Sequence, residues 1–486
     1  MKMTDLEPKI LFKYFDEITK VPRPSKKEEK ILQYLKDFAE KHQLEYKQDK
    51  AGNIVIKKEA TKGYEHLQPI CLQAHVDMVC EKNSDKQHDF DNDPITPIVD
   101  GEWLRADGTT LGADDGIGVA SILAIMADDT IEHGPLEGLF TVDEETGLTG
   151  AMEIEPGMFD SKILINLDSE DEGEMFIGCA GGMGTMGYYD YKKEAAPADL
   201  CFMDVKVSGL SGGHSGGDIH RALGNANKIL IRTLHEIQKE TPLRIAVIEG
   251  GNLHNAIPRE AHAIVGVPTA MREKTVAAVN MVMSEVSHEL RLRDPNVKVE
   301  IISAETPASV IDKETSDKLI SALYVMPHGV LGMSDQIEGL VESSTNLASI
   351  KMKEEGVISV ETSQRSSSET QKAQIGELVK EIFLITGARI EVRDGYPGWA
   401  PNNESPILKI VVEAYEHIFG RKPAVKAIHA GLECGLFLEK YPYLDMVSFG
   451  PTLRDVHSPD ERLEIKTADM YWRHLLEVLK RIPANN

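Results

Sequence analysis

Three short apolar runs in this chain each stop just ahead of a histidine or an acid, and that pattern constrains the fold most. Pro69–Gln73 precedes His75 and Asp77, Gly138–Val142 precedes Asp143, Glu144 and Glu145, and Ile163–Leu167 precedes Asp168. Short apolar runs with polar boundaries read as buried strands. Between the first two lies Gly116–Ala127, apolar on every side, which reads as a buried helix. Strands alternating with helices predict an α/β domain with a largely parallel central sheet flanked by helices. Open sheets of this kind bind ligands beyond the carboxyl ends of their strands, so the three polar tips are expected to converge.

The surrounding chain fits that frame. Pro22 and Pro24 lead into Ser25-Lys26-Lys27-Glu28, a capping-box pattern, followed by Ile31, Leu32, Leu35 and Phe38 at helical spacing. Asn53–Ile56 reads as a further strand. From about Gly187 the texture changes: Cys201–Val207, Leu243–Ile248 and Ala263–Val267 read as strands, Ala222–Glu240 and Lys274–Leu292 as helices. A similar series runs from Val330 to Arg393, which leaves open two similar units in tandem. The turn-rich Gly395-Tyr396-Pro397-Gly398-Trp399 closes the block. Helix Ser405–Ile418, strand Met446–Phe449 and amphipathic helix Thr467–Ile482 then resume the α/β texture. The expected organisation is a catalytic domain in two parts, 1–186 and 397–486, interrupted by an inserted α+β domain at 187–396.

Charge narrows the function. A formal net charge of −26 disfavours a phosphate backbone or an anionic membrane surface as partner, but not cations or small zwitterions. The five cysteines are scattered and never form a C-x-x-C pair, which excludes a disulfide framework or zinc knuckle. The opening residues turn acidic at once, without a secretory apolar region, and the longest apolar run, Gly118 to Ala127, is too short to span a bilayer. A reducing cytoplasm is the expected compartment.

Singly, each polar tip is ambiguous. His75-Val76-Asp77 offers a histidine with a carboxylate to orient its ring, the usual support for a metal-binding imidazole. In Gly112-Ala113-Asp114-Asp115-Gly116, either aspartate could bridge two cations or simply cap the helix that follows. In Asp143-Glu144-Glu145, strand alternation would send one glutamate to metal and its neighbour to the attacking water. Asp168 opens an acidic stretch that fails as a calcium loop, because Cys179 stands where the twelfth-position glutamate belongs. His457 lies in a polar loop, where solvation is the ordinary state. Together they offer two histidines and three carboxylates, the set a dinuclear hydrolytic site needs.

In their order, Gln73-Ala74-His75-Val76-Asp77, Leu111-Gly112-Ala113-Asp114-Asp115-Gly116, Val142-Asp143-Glu144-Glu145-Thr146-Gly147, Leu167-Asp168 and His457-Ser458-Pro459-Asp460-Glu461 resemble the M20 metallopeptidase family, most of all its aminoacyl-histidine dipeptidase branch. The resemblance implies two divalent ions per chain, zinc first with manganese or cobalt as alternatives. His75 and Asp168 would hold one, Glu145 and His457 the other, and Asp114 would bridge. Asp77 would orient His75, and Glu144 would be the general base. In the inserted domain His214 would polarise the scissile carbonyl, while Asn255 and Arg365 would grip the substrate's terminal carboxylate. Two departures accompany it: Ser-Gly-Gly-Asp follows His214 where many relatives carry a small residue and proline, and Arg365 lacks the usual surrounding pattern, so a solvated arginine is its alternative. The implied activity is hydrolysis of dipeptides with a free N-terminus, Xaa-His included. Tripeptidase, N-acyl amino acid deacylase and inactive metal-binding module are the rivals, and a homodimer is left open.

Overall fold

The computed structural model describes residues 2–353 and 356–485, in two compact units. The first comprises Met1–Gly178, Pro401–Ala427 and Leu432–Asn486; the second comprises Cys179–Ala400 and Ile428–Gly431.

The first unit is built on an eight-stranded sheet in the order Glu45–Gln48, Ile54–Lys58, Leu136–Thr141, Ile70–His75, Ile163–Asn166, Asp445–Ser448, Glu174–Cys179, Ala424–Ile428. The central strands 136–141, 70–75, 163–166 and 445–448 run parallel, while 45–48 with 54–58, 54–58 with 136–141 and 445–448 with 174–179 pair antiparallel. Every residue of the 70–75, 136–141 and 163–166 strands is buried, which is why they read as mostly apolar runs without alternation. Parallel direction puts their carboxyl ends, and the residues just beyond, along one edge of the sheet. Helix Ala113–Ala127 is buried almost throughout, matching its lack of a polar face. Helix Lys9–Ile18 instead buries one stripe, Leu11, Phe12, Phe15 and Ile18.

The expected capping box at Ser25–Glu28 does not form. The helix begins at Glu29 without a side-chain cap. Ser25 Oγ instead donates to Asp77 Oδ2 at 2.7 Å, and Glu28 Oε1 accepts the amides of Lys26 and Asp143 at 2.8 and 3.1 Å. Tertiary partners outcompete the local cap.

The second unit holds a nine-stranded antiparallel sheet in the order Lys298–Ser303, Leu200–Ser208, Ala261–Pro268, Arg244–Gly250, Val341–Lys353, Val357–Ser366, Gly181–Asp190, Arg389–Tyr396, with Gly329–Met333 also paired to Val341–Lys353. The two strand-and-helix series of the sequence thus join in one sheet, through Gly250 opposite Ile350. Ile358 and Val360 pack with Val379 and Phe383 of helix Glu369–Ile385 in the core of this unit. The glycine-rich Gly181–Asp190 is a strand of this sheet, so the second unit begins at Cys179 rather than near 187, and it runs on to Ala400.

Candidate active site

At the carboxyl edge of the parallel strands the structure brings His75, Asp114, Glu145, Asp168 and His457 together. His75 ends its strand and is buried; its Nε2 lies 3.1 Å from Asp114 Oδ1 and 3.4 Å from Asp168 Oδ1. His457 Nε2 lies 3.2 Å from Asp114 Oδ2 and 3.0 Å from Glu145 Oε2. One carboxylate therefore stands between two halves, each oxygen facing an imidazole that has an acid of its own. The ligand atoms of His75, Asp114 and Glu145 all lie within 4.8 Å of one another, close enough to hold a metal ion, and Glu145 Oε1 is buried without a hydrogen-bond partner. A second acidic group, Glu28, Asp77 and Asp143, differs in kind: its oxygens already accept from Ser25, from backbone amides, and from the hydroxyls of Thr146 and Thr149.

The two readings of the aspartate pair are divided between its members. Asp114 faces the imidazoles, while Asp115 Oδ1 accepts the Gly118 amide at 3.2 Å, as a helix cap does. The expectation for Glu144 and Glu145 needs correction. They do not alternate along a strand: the strand stops at Thr141, Asp143 turns into the left-handed region at φ 51, and Glu144–Gly147 forms one helical turn. Asp77 captures the first amides of that turn, Oδ1 from Glu144 at 3.1 Å and Oδ2 from Glu145 at 3.2 Å, while Oδ1 also sits 3.4 Å from His75 Nδ1. A single carboxylate thus faces the His75 ring and fixes both glutamates.

The electrostatics are those of acids crowded together out of water. Burial pushes Asp115 and Asp168 well above the usual carboxylate range and Glu144 up to about 8. Burial likewise pushes Glu170 to about 7, with Asp114 adding to it. Burial works against the charge of Asp77 as well, yet His75, Ser25 and the Glu144 amide pull it down to about 2. Hydrogen bonds to Asp114 and Glu145 lift His457 to about 11.

Three supporting residues escaped the sequence reading. Glu461 is buried and accepts four successive backbone amides, Leu111 and Gly112 on Oε2 at 2.7 and 2.9 Å, Ala113 and Asp114 on Oε1 at 2.7 and 3.3 Å. Buried Arg23 holds the carbonyls of Val76 and Asp77 at 2.9 Å each, and that of Gly112. Between them they clamp the segment that presents Asp114. Glu433 lies under the strand ends: its Oε2 accepts Gln73 Nε2 at 2.6 Å and Thr141 Oγ1 at 3.0 Å. Gln73 Oε1 in turn accepts Asn166 Nδ2 at 2.6 Å, and Asn166 accepts the Asp168 amide at 3.3 Å. A lone acid in the glycine-flanked Gly431-Leu432-Glu433-Cys434-Gly435 is the signal that could have exposed Glu433; a single arginine between two prolines offers none.

His214, Asn255 and Arg365 belong to the second unit. His214 pairs with Ala256 in a two-stranded ribbon, and the Ser215 amide donates to the Asn255 carbonyl at 2.8 Å, so the first two are held together. His214 Nδ1 accepts the Gly217 amide at 2.9 Å, which places the proton of the neutral ring on Nε2. Burial and the nearby Arg365 charge lower its pKa, favouring that neutral form. Arg365 is buried, not solvated: Nη1 donates to Tyr396 OH at 2.7 Å, and Nε is buried without a partner. Asn255 and Arg365 line one cavity of about 380 Å³.

The chain is similar to known proteins over nearly its whole length. Residues 71–481 match the model of peptidase family M20/M25/M40. The chain is 41% identical over 483 residues to the cytosol non-specific dipeptidase of Escherichia coli K12, covering 99% of both chains. It superposes on the crystal structure of aminoacylhistidine dipeptidase from Vibrio alginolyticus with a TM-score of 0.95 at 42% identity, covering 100% of this chain and 99% of that one. A tripeptidase from Staphylococcus aureus, at TM-score 0.55 and 17% identity over 99% of each chain, shares the fold.

Proposed function

The chain belongs to peptidase family M20/M25/M40, and on that premise we propose that it is a dinuclear metallopeptidase hydrolysing dipeptides with a free N-terminus, Xaa-His dipeptides among them. The observation that carries the reading is Asp114, whose two oxygens each face an imidazole backed by a further acid. The donor set fits two divalent ions: His75 and Asp168 for one, Glu145 and His457 for the other, Asp114 shared. Two imidazoles and three carboxylates suit zinc, with manganese or cobalt as substitutes. When bound, the ions supply Lewis-acid polarisation of the carbonyl and acidify the attacking water.

The chain's own residues do the rest. Asp77 fixes the His75 ring and, through the amides of Glu144 and Glu145, the position of both glutamates. The Glu144 carboxylate takes the proton of the attacking water and delivers it to the leaving amine nitrogen. His214, neutral with its proton on Nε2, donates to the oxyanion that develops on the scissile carbonyl. Arg365 and Asn255 hold the substrate's α-carboxylate, and the unpartnered Arg365 Nε supports that role. The dipeptide class rests on the names of the two full-length relatives. A cytoplasmic location suits the lack, among the described residues, of a disulfide and of any helix long and apolar enough to cross a membrane.

The test is a panel of dipeptides, tripeptides and N-acyl amino acids at defined metal content. Chelation should abolish dipeptide hydrolysis and Zn²⁺ or Mn²⁺ should restore it. Full activity in a metal-free sample would sink the reading.

A further inference from the structure

The cavity that holds Arg365 is a trough with an unusual floor. Three neighbouring strands of the second unit's sheet, Val357–Ser366, Gly181–Asp190 and Arg389–Tyr396, place their residues in rows. Arg365, Gly182 and Tyr396 form one row; Ser363, Gly184 and Arg393 form the next. Residues in register share a face of a sheet, so the middle strand contributes only bare backbone where its neighbours stand up as walls. Beyond Gly184 the middle strand brings buried Met186, opposite Glu361, which closes the floor. Rows two residues apart are separated by about 7 Å.

The walls are polar though buried. Arg365, Ser363 and Glu361 are only 7%, 7% and 9% exposed, yet all three line the cavity. At the far end Arg393 Nη1 donates to Glu361 Oε1 at 2.5 Å, so the trough carries two guanidiniums and one carboxylate. Its net single positive charge is what one α-carboxylate balances. Buried charge of this kind is costly without a partner, and Arg365 Nε has none.

We infer that this trough is the subsite for the side chain of the substrate's C-terminal residue, with Gly184 and Glu361 setting its specificity. This rests on the dipeptidase reading above. With the α-carboxylate on Arg365, the side chain runs along the strand over Gly184 toward Glu361. Two row spacings, about 14 Å of backbone, separate Arg365 from Glu361; the guanidinium and carboxylate arms take up part of that span, and an imidazole over Gly184 would donate its N–H to the Glu361 carboxylate that Arg393 orients. Side chains that are polar at that reach, histidine foremost, are favoured over aliphatic ones of similar size, and glycine leaves the trough empty.

Gly184 makes the claim testable. A Cβ placed there meets the Arg393 side chain first, nearest at 3.5 Å, an ordinary contact, so alanine fits without displacing the fold. Leucine would fill the trough. The experiment measures kcat and KM for Ala-Gly, Ala-Leu and Ala-His on the metal-loaded full chain, in the parent, Gly184→Ala, Gly184→Leu and Glu361→Gln. Gly184→Leu should lower kcat/KM for Ala-His and Ala-Leu at least about tenfold, mainly through KM, and change Ala-Gly less than about threefold, with Gly184→Ala between. Glu361→Gln, isosteric, should reduce the preference for Ala-His over Ala-Leu by about tenfold. Equal losses on all three substrates in the Gly184 series, or an unchanged Ala-His to Ala-Leu ratio in Glu361→Gln, would overturn the subsite while leaving the dipeptidase reading intact. A parent inactive on all three dipeptides would overturn that reading and the subsite with it.

Discussion

Replacing Glu461 with glutamine exchanges one oxygen for an NH₂ group and keeps the volume. Each carboxylate oxygen accepts two backbone amides in the parent. The glutamine oxygen can keep one pair, while the other pair then points at a donor. A buried N–H left without an acceptor costs about 1–3 kcal/mol, so two of them should cost about 2–6 kcal/mol. For a unit of this size each kcal/mol moves the melting midpoint by about 2–4 °C, giving a fall of about 4–24 °C. The measurement is thermal unfolding in chelator, with exposed Asp460→Asn as a control expected to change stability by less than about 0.5 kcal/mol. Because the same four amides set the backbone that presents Asp114, metal affinity by calorimetry should weaken in parallel. A midpoint within about 2 °C of the parent, with unchanged metal affinity, would refute the clamp: the amides would then have acceptors other than Glu461.

Glu144→Gln should lower kcat by about 10²–10⁴-fold while metal content by elemental analysis stays at the parent's level, whereas His457→Ala should lose metal; metal loss in Glu144→Gln with retention in Glu145→Gln would reverse the two roles. Glu433→Ala leaves one Gln73 N–H without an acceptor, while the Thr141 hydroxyl can turn to the Ala74 carbonyl, so it should destabilise the first unit by about 1–3 kcal/mol in urea unfolding; a change under about 0.5 kcal/mol contradicts the network. The metal-free protein should also lose stability as pH rises. Burial pushes Glu144 to about 8, and Glu433 and Glu170 to about 7, from an ordinary 4.5, so the folded chain keeps protons that the unfolded chain has released. That penalty grows between roughly pH 4.5 and 8. Hydrogen bonds lift His457 from 6.5 to about 11, and His75 is also raised, so their stabilisation is full below 6.5 and fades as pH climbs. The signs agree: the melting temperature in chelator should fall from pH 6 to pH 9, and metal loading should remove the fall. A rise over that interval contradicts the linkage.

The fold was legible where burial and chain direction act together. Ile70–His75 and Ile163–Asn166 are buried on both faces, so their apolar runs carry a direct signature, and parallel direction follows from the helices between strands. Gly181–Asp190 gave no such signature. Its glycines carry no apolar run, and pairing on both sides with Val357–Ser366 and Arg389–Tyr396 makes it a strand. The Ser25 pattern failed for a related reason. A local cap is a contact of small energy, and the buried carboxylate of Asp77 offers that hydroxyl a stronger, charge-assisted bond.

The site divides along the same line. His75 and Asp168 follow strand ends, and Asp114 starts a helix, so their placement depends on secondary structure that a sequence can carry. What holds them does not. Arg23 reaches Gly112 across 89 positions, Glu461 reaches Leu111 across 350, and Glu433 reaches Gln73 across 360. Each is a buried polar group satisfied by partners no spacing rule connects to it. Such groups resist substitution for the same reason they resist reading: removing one leaves its distant partners unpaired in the interior, where water cannot replace it. Asp77 shows how closely the two kinds are joined. One carboxylate meets His75 two positions away and the amides of Glu144 and Glu145 far along the chain, so the ring and the base share a single support. Moving that carboxylate by one methylene, Asp77→Glu, should therefore lower metal content and kcat together; full retention of either, by elemental analysis or by dipeptide hydrolysis, would separate the two supports.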